Sequence, residues 1–139
     1  MRPILLKGHE RPLTFIKYNR EGDLLFTCAK DHHPTLWYGD NGERVGTYVG
    51  HNGAVWTCDV SDDSSTLVTG SADTTAKLWD TKTGECYFTF EFDQPVRAVA
   101  LNAGGTQCAI TTDPFMGCLL YTSDAADEGL GVDLGGRRI

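Results

Sequence analysis

The chain has no cysteine pair at metal-ligand spacing, no long apolar run and no excess of basic residues. Its five cysteines, Cys28, Cys58, Cys86, Cys108 and Cys118, include no Cys-x-x-Cys, and their number is odd. Cys58 and Cys108 fall in strand patterns and read as small buried hydrophobes in a reducing compartment. No stretch stays apolar for long enough to span a bilayer, so no membrane partner is expected. The opening, Met1-Arg2-Pro3-Ile4-Leu5-Leu6-Lys7, turns polar too soon for a secretory leader, so a cytosolic protein is expected. A formal net charge of -7 speaks against a general nucleic-acid footprint. With 139 residues and a hydrophobic fraction of 40%, one soluble globular domain is expected.

What is present is a repeat. Leu67 to Asp80, Leu-Val-Thr-Gly-Ser-Ala-Asp-Thr-Thr-Ala-Lys-Leu-Trp-Asp, reads as two short strands joined by a tight turn at Ser71–Thr75. Gly50-His51 lies upstream. Shifted by 42 positions, the sequence overlays itself without a gap. Gly8-His9 meets Gly50-His51, Asp31 meets Asp73, Leu36-Trp37 meets Leu78-Trp79, and Gly42-Glu43 meets Gly84-Glu85. A third copy starts at an offset of 41, with Val96 answering Val55 and Ala109 answering Val68. It has lost its Gly-His, with Phe92-Asp93 in that place, and no strand is expected after Pro114. Such a period, opening on Gly-His and closing on Trp-Asp, marks a four-stranded propeller blade, and the chain resembles the WD40 repeats.

The expected fold is all-β, a WD40 β-propeller fragment of about two and a half four-stranded antiparallel blades. Blade 1 spans about 8–49, blade 2 about 50–90 and an incomplete blade 3 about 91–117. The strands are read at Leu13–Tyr18, Leu24–Cys28, Thr35–Tyr38, Glu43–Val49, Ala54–Val60, Thr66–Gly70, Thr75–Trp79, Glu85–Phe90, Val96–Leu101 and Gln107–Thr111. Ile4-Leu5-Leu6 reads as a further short strand, and Asn41-Gly42 as a type I′ turn. A propeller needs at least about four blades to close. Fewer than three fit here, so a piece of a longer protein is expected. Its stacking faces and edges would stand open.

Each full repeat holds a His, a hydroxyl residue, an Asp and a Trp. These are His9, Thr27, Asp31 and Trp37, then His51, Thr69, Asp73 and Trp79. The set invites comparison with a hydrolase triad. It recurs once per blade, however, and threonine is a poor nucleophile without a base held against it. No catalytic residue, cofactor site or metal site is assigned, and the protein is not read as an enzyme. The resemblance to WD40 blades implies a structural tetrad: turn Asp to loop His, His to strand hydroxyl, hydroxyl to Trp ring nitrogen. In the second blade Thr69 and Ser71 both remain candidates for the hydroxyl. His32-His33 lacks a third ligand at useful spacing and reads as a solvated turn. Asp62-Asp63 lacks the patterned acids of a calcium loop and reads as a hairpin tip. Gly104-Gly105 lacks the lysine and helix start of a phosphate loop.

From Cys118 the repeat pattern is lost. The string to Ile139 closely resembles the translation of a transposase-type sequencing adapter, and residues 118–139 are read as a non-native, disordered tail. The rest is similar to the i subunit of eukaryotic translation initiation factor 3, a family also described as TGF-beta receptor-interacting protein. Met1 to Thr14, Tyr18 to Phe26 and Ala29-Lys30-Asp31 carry the resemblance. Asn41 to Tyr48, Gly50 to Trp56 and Thr111 to Met116 continue it. The resemblance implies the first blades of a seven-bladed ring whose N-terminal strand closes the last blade. It also implies a rigid platform holding the b and g subunits, supporting messenger RNA recruitment to the small ribosomal subunit without direct nucleic-acid contact. Another cytosolic WD40 adaptor, for example in receptor-kinase signalling, is the alternative. Arg11, Pro12, His32, His33, Asn52 and Trp56 lie at loops or strand starts as candidate surface residues.

Overall fold

The computed structural model describes residues 1–112 and 118–122. It is built from strands alone among these residues. The first sheet contains β1 (Leu13–Tyr18), β2 (Leu24–Ala29), β3 (Thr35–Tyr38) and β4 (Arg44–Thr47). The second contains β5 (Val55–Val60), β6 (Thr66–Ser71), β7 (Thr75–Asp80) and β8 (Cys86–Glu91). The third contains β9 (Val96–Leu101), β10 (Gln107–Thr112) and β11 (Leu119–Thr122). Each is an antiparallel meander in chain order, as the repeat requires.

The sheets stack face to face, because alternate residues of a strand point to opposite faces. Leu67 joins Phe26, Cys28, Leu36, Tyr48, Val55 and Trp79 in a core between the first and second sheets. Its neighbour Val68 joins Ala76, Phe90, Val96, Val99 and Ile110 in a core between the second and third. Tyr48 ties the first interface together. Its ring packs at 5.6 Å against Trp79, and its hydroxyl donates to the Thr81 carbonyl at 3.0 Å. Asp59 serves three blades at once: Lys17 lies 3.6 Å away and the Leu101 N–H donates to it at 2.8 Å. Ile16 and Tyr18 pair with Thr27 and Leu25 on the opposite face of the first sheet, where both are exposed.

Several expectations need correction. No strand forms at Ile4-Leu5-Leu6. A strand there needs a hydrogen-bonding partner strand, whereas Ile4 and Leu6 lie against Gly42 in the turn between β3 and β4. Leu119–Thr122 pairs with β10, although the sequence pattern ends before it. The segment is short, apolar and aromatic, and Tyr121 covers Phe90 with ring centroids 4.6 Å apart. The strand therefore begins inside the stretch assigned to the tail, while residues 113–117 and 123–139 lie outside the described residues. The Asn41-Gly42 turn is not type I′, which requires positive φ at both central residues. Gly42 has φ of 73°, and Asn41 is not among the residues of positive φ. Tyr38 instead accepts from Gly42 and donates to Glu43, closing a four-residue loop that Thr81–Gly84 repeats in the second sheet.

Gly70 fixes how closely the second and third sheets approach. A Cβ there would lie 2.6 Å from Val96 Cγ1 and 2.9 Å from Thr57 Cγ2. Gly70→Ala is therefore expected to force β9 away and to destabilise the protein by about 2 kcal/mol. The urea midpoint measures this, and an unchanged midpoint would show that the interface yields without cost.

Candidate functional site

The eight tetrad residues come together as two matching clusters. In the first sheet, the His9 Nδ1–Asp31 Oδ2 distance is 2.8 Å and the His9 Nε2–Thr27 Oγ1 distance is 2.6 Å. Trp37 Nε1 donates to the same Thr27 oxygen at 2.8 Å. In the second, His51 Nδ1 lies 3.0 Å from Asp73, His51 Nε2 lies 2.7 Å from Thr69, and Trp79 Nε1 donates to Thr69 at 2.9 Å. Thr69 is thus the hydroxyl of this set. Ser71 does other work: its hydroxyl donates to the Ala54 carbonyl at 2.9 Å and accepts the Asp73 N–H at 3.0 Å.

The hydrogen bonds fix direction. The indole N–H can only donate. Thr69 Oγ therefore accepts from Trp79, and because the Asp73 carboxylate facing Nδ1 can only accept, Nδ1 carries the ring proton and Nε2 accepts from the Thr69 hydroxyl. That requires a neutral imidazole, whose remaining Nδ1–H donates to Asp73. The tautomer follows from the network. Burial lowers the His51 pKa below the usual 6.5, consistent with the neutral ring despite the carboxylate beside it. Burial alone would raise the Asp73 carboxyl. Donation from the Thr75 hydroxyl, the Asn52 N–H and His51 outweighs it and holds the group at about 2. In the first sheet burial likewise opposes, and His9 with the His33 and Glu10 N–H groups lowers the Asp31 carboxyl.

Each aspartate also organises its turn. Asp73 accepts from the Thr75 N–H at 2.9 Å and the Thr75 hydroxyl at 2.6 Å, while Asp31 accepts from the His33 N–H at 3.1 Å. The residue between is held left-handed, His32 at φ of 77° and Thr74 at 73°. Thr75 was not foreseen as a participant. The Asp-x-Thr spacing of an Asx turn is the sequence signal for it.

Thr–His–Asp geometry could in principle activate a hydroxyl. Here the oxygen of Thr69 is sealed in, with the residue fully buried, and the indole N–H holds one of its two lone pairs. The other candidates separate from these clusters. The rings of His32 and His33 stand edge-on with centroids 6.4 Å apart. The expectation that both are solvated is corrected: both are half-buried, and His33 Nδ1 has no partner. No group of three His, Cys, Asp or Glu side chains able to hold a metal occurs among the described residues. Asp63 caps its hairpin, accepting from the Ser61 and Ser65 hydroxyls at 2.8 and 2.7 Å, and Asp62 lies 3.3 Å from Arg20. Gly105 sits at φ of 72° in the β9–β10 turn. Burial pushes the Cys108 thiol up to about 12, so it stays protonated. Arg11, Pro12 and Asn52 are exposed, while Trp56 is half-buried.

The family profile described as WD domain, G-beta repeat, matches residues 3–37 and 42–80. The chain is 53% identical over 117 residues to a Schizosaccharomyces pombe protein named eukaryotic translation initiation factor 3 subunit I, covering 84% of this chain and 36% of that protein. Proteins of the same name from Aspergillus fumigatus and Drosophila sechellia are 51% and 50% identical over 136 and 134 residues. Those matches cover 98% and 94% of this chain and 40% and 41% of the relatives, so they run into residues 118–139. The chain spans well under half the length of these relatives.

Asp73→Ala removes the acceptor for a buried imidazole N–H, for two donors of its own turn and for the Asn52 N–H. A loss of about 3 kcal/mol is expected in urea denaturation, and an unchanged midpoint would contradict the network. Thr74→Gly relieves a β-branched residue at positive φ and should raise stability by about 1 kcal/mol by the same measurement. Lower stability would show that the side chain itself is needed. Stability should also fall with pH in two stages. Below the usual histidine value of 6.5 the unfolded chain takes up protons that buried His51 resists. The contribution of Asp73 is present above 3.8 and is lost as pH drops toward about 2. A midpoint that is flat from about pH 7 to 5 would contradict the first stage.

Proposed function

Because the chain belongs to the WD40-repeat family, and within it to the proteins named eukaryotic translation initiation factor 3 subunit I, we propose that it acts as a non-catalytic scaffold in translation initiation. In this reading it holds the b and g subunits in the initiation factor 3 complex and supports messenger RNA recruitment to the small ribosomal subunit in the cytoplasm. No helix among the described residues is long and apolar enough to cross a membrane. The chief support is the duplicated relay with matching connectivity in two successive blades, at distances agreeing within 0.2 Å. A reaction centre is needed once, whereas a structural fastener can recur from blade to blade.

The relays rigidify strand ends, and the loops between them present side chains in fixed positions. Partners then meet a pre-organised surface, which lowers the entropic cost of docking. Within this proposal the tetrads are structural and residues 1–117 carry the propeller segment, to which Leu119–Thr122 adds a strand along β10.

The proposal is tested by expressing the tagged full-length protein in eukaryotic cells and identifying what co-purifies at physiological salt. The b and g subunits of initiation factor 3 are the expected partners. Recovery of receptor kinases or other signalling proteins without initiation-factor subunits would favour the adaptor alternative and overturn the proposal.

A further inference from the structure

The outer strands β4 and β8 occupy corresponding places in their sheets but differ in chemistry. Strand β4 is Arg-Val-Gly-Thr, four residues long, with an arginine and a glycine along its edge. Strand β8 is Cys-Tyr-Phe-Thr-Phe-Glu, six residues long. It pairs with β7 on one side and, among the described residues, has no strand on the other. Its register shifts opposite Leu78 and Trp79, placing Tyr87 between the paired residues Cys86 and Phe88. Tyr87 is 54% and Phe88 43% exposed, although Phe88 is braced edge-on by Phe90 at 4.7 Å.

The strand and its immediate flanks carry acidic charge alone, with Lys82 in the preceding turn. Glu85, Glu91 and Asp93 are exposed, and no lysine or arginine occurs from Glu85 to Asp93. Lys77, on the neighbouring strand, donates to Thr89 at 3.1 Å. Edge strands are commonly guarded by lysine, proline or a covering element. Strand β8 itself carries neither lysine nor proline. An open edge offers main-chain hydrogen bonds to an extended segment, and exposed side chains next to it supply selectivity.

We propose that the outer edge of β8 is a docking strand for an extended, basic segment of another protein, with apolar side chains set against Tyr87 and Phe88 and Lys or Arg near Glu85, Glu91 and Asp93. This surface does not depend on the initiation-factor assignment. A helix would not satisfy the edge's N–H and C=O groups, whereas an added strand does.

The test titrates the full-length protein into a fluorescent synthetic peptide, Lys-Val-Thr-Val-Lys-Val-Thr-Val-Lys, and reads anisotropy. Saturable binding is expected. Methylating alternate peptide amides to block strand addition should weaken it by at least about tenfold. The Glu85→Lys/Glu91→Lys variant should weaken it by a similar factor, with an unchanged melting temperature establishing that the variant is folded. Because N-methylation leaves the protein unaltered, that comparison stands even if the variant fails to fold. No saturation at millimolar peptide, binding indifferent to N-methylation, or self-association through β8 that the peptide does not reverse would each overturn the proposal.

Discussion

The neutral His51 imidazole has one donor and one acceptor, and the second blade is fastened by using both, with the same contacts repeated around His9 in the first. The indole donates to the threonine, the threonine to Nε2, and Nδ1–H to the aspartate. Each buried proton in this relay has one acceptor, so no polar group is stranded. Such a network strengthens cooperatively when complete and becomes costly when one member is lost. It joins the loop that carries His51, the turn that carries Asp73, and the two strands that carry Thr69 and Trp79. The loop before the blade is thereby tied to the blade's own second hairpin. The relay sets local shape, whereas the area removed from water supplies most of the favourable energy.

That apolar area is buried between blades rather than within one. Leu67 and Val68 are adjacent in sequence and fully buried, yet they belong to different interfaces. The second sheet is therefore covered on both faces, while Ile16 and Tyr18 on the first sheet remain exposed. A single sheet with one open apolar face is marginal in water, and stacking is what makes the unit stable. Polar contacts then index the stack. Asp59 reaches both Lys17 and the Leu101 N–H, at positions separated by the repeat length. Loops at the ends of strands indexed in this way have little conformational freedom left to lose.

The repeat made much of this legible in the sequence. Strand position followed from period-two alternation between turn residues, and Leu13–Tyr18, Thr35–Tyr38 and Val96–Leu101 coincide with β1, β3 and β9. The tetrads were legible because four chemically distinctive residues recur at a fixed offset. What was not legible depends on pairing or on conformation. Ile4-Leu5-Leu6 has strand composition, but composition does not supply a neighbouring strand. Leu119–Thr122 has no repeat signature, yet it pairs along β10 because any short apolar segment of high β propensity can complete an open edge. Asn-Gly suggested a two-residue turn, whereas the four-residue loop needs only Gly42 left-handed. Thr69 and Ser71 are both hydroxyl residues two positions apart on one strand, so only their hydrogen bonds distinguish them.

The third sheet shows what the relay is worth by doing without it. In register, Ile110 stands where Thr69 stands in the second sheet, since Ile110 pairs with Val99 as Thr69 pairs with Cys58. Tyr121 opposes Cys108 as Trp79 opposes Leu67. Phe92, one repeat after His51, lies 6.4 Å from Tyr121 with its ring edge-on, close to the 6.0 Å of His51 and Trp79. The histidine and the threonine are replaced by Phe92 and Ile110, and the ring arrangement survives. Replacing a buried polar network as a whole by well-packed apolar groups can be nearly neutral, whereas removing one partner strands the others. The blade architecture therefore tolerates the relay complete or absent, and penalises it half-made. The relay acts as a cooperative unit within a fold whose stability comes from stacked apolar faces, and this is why it can recur, or vanish, blade by blade.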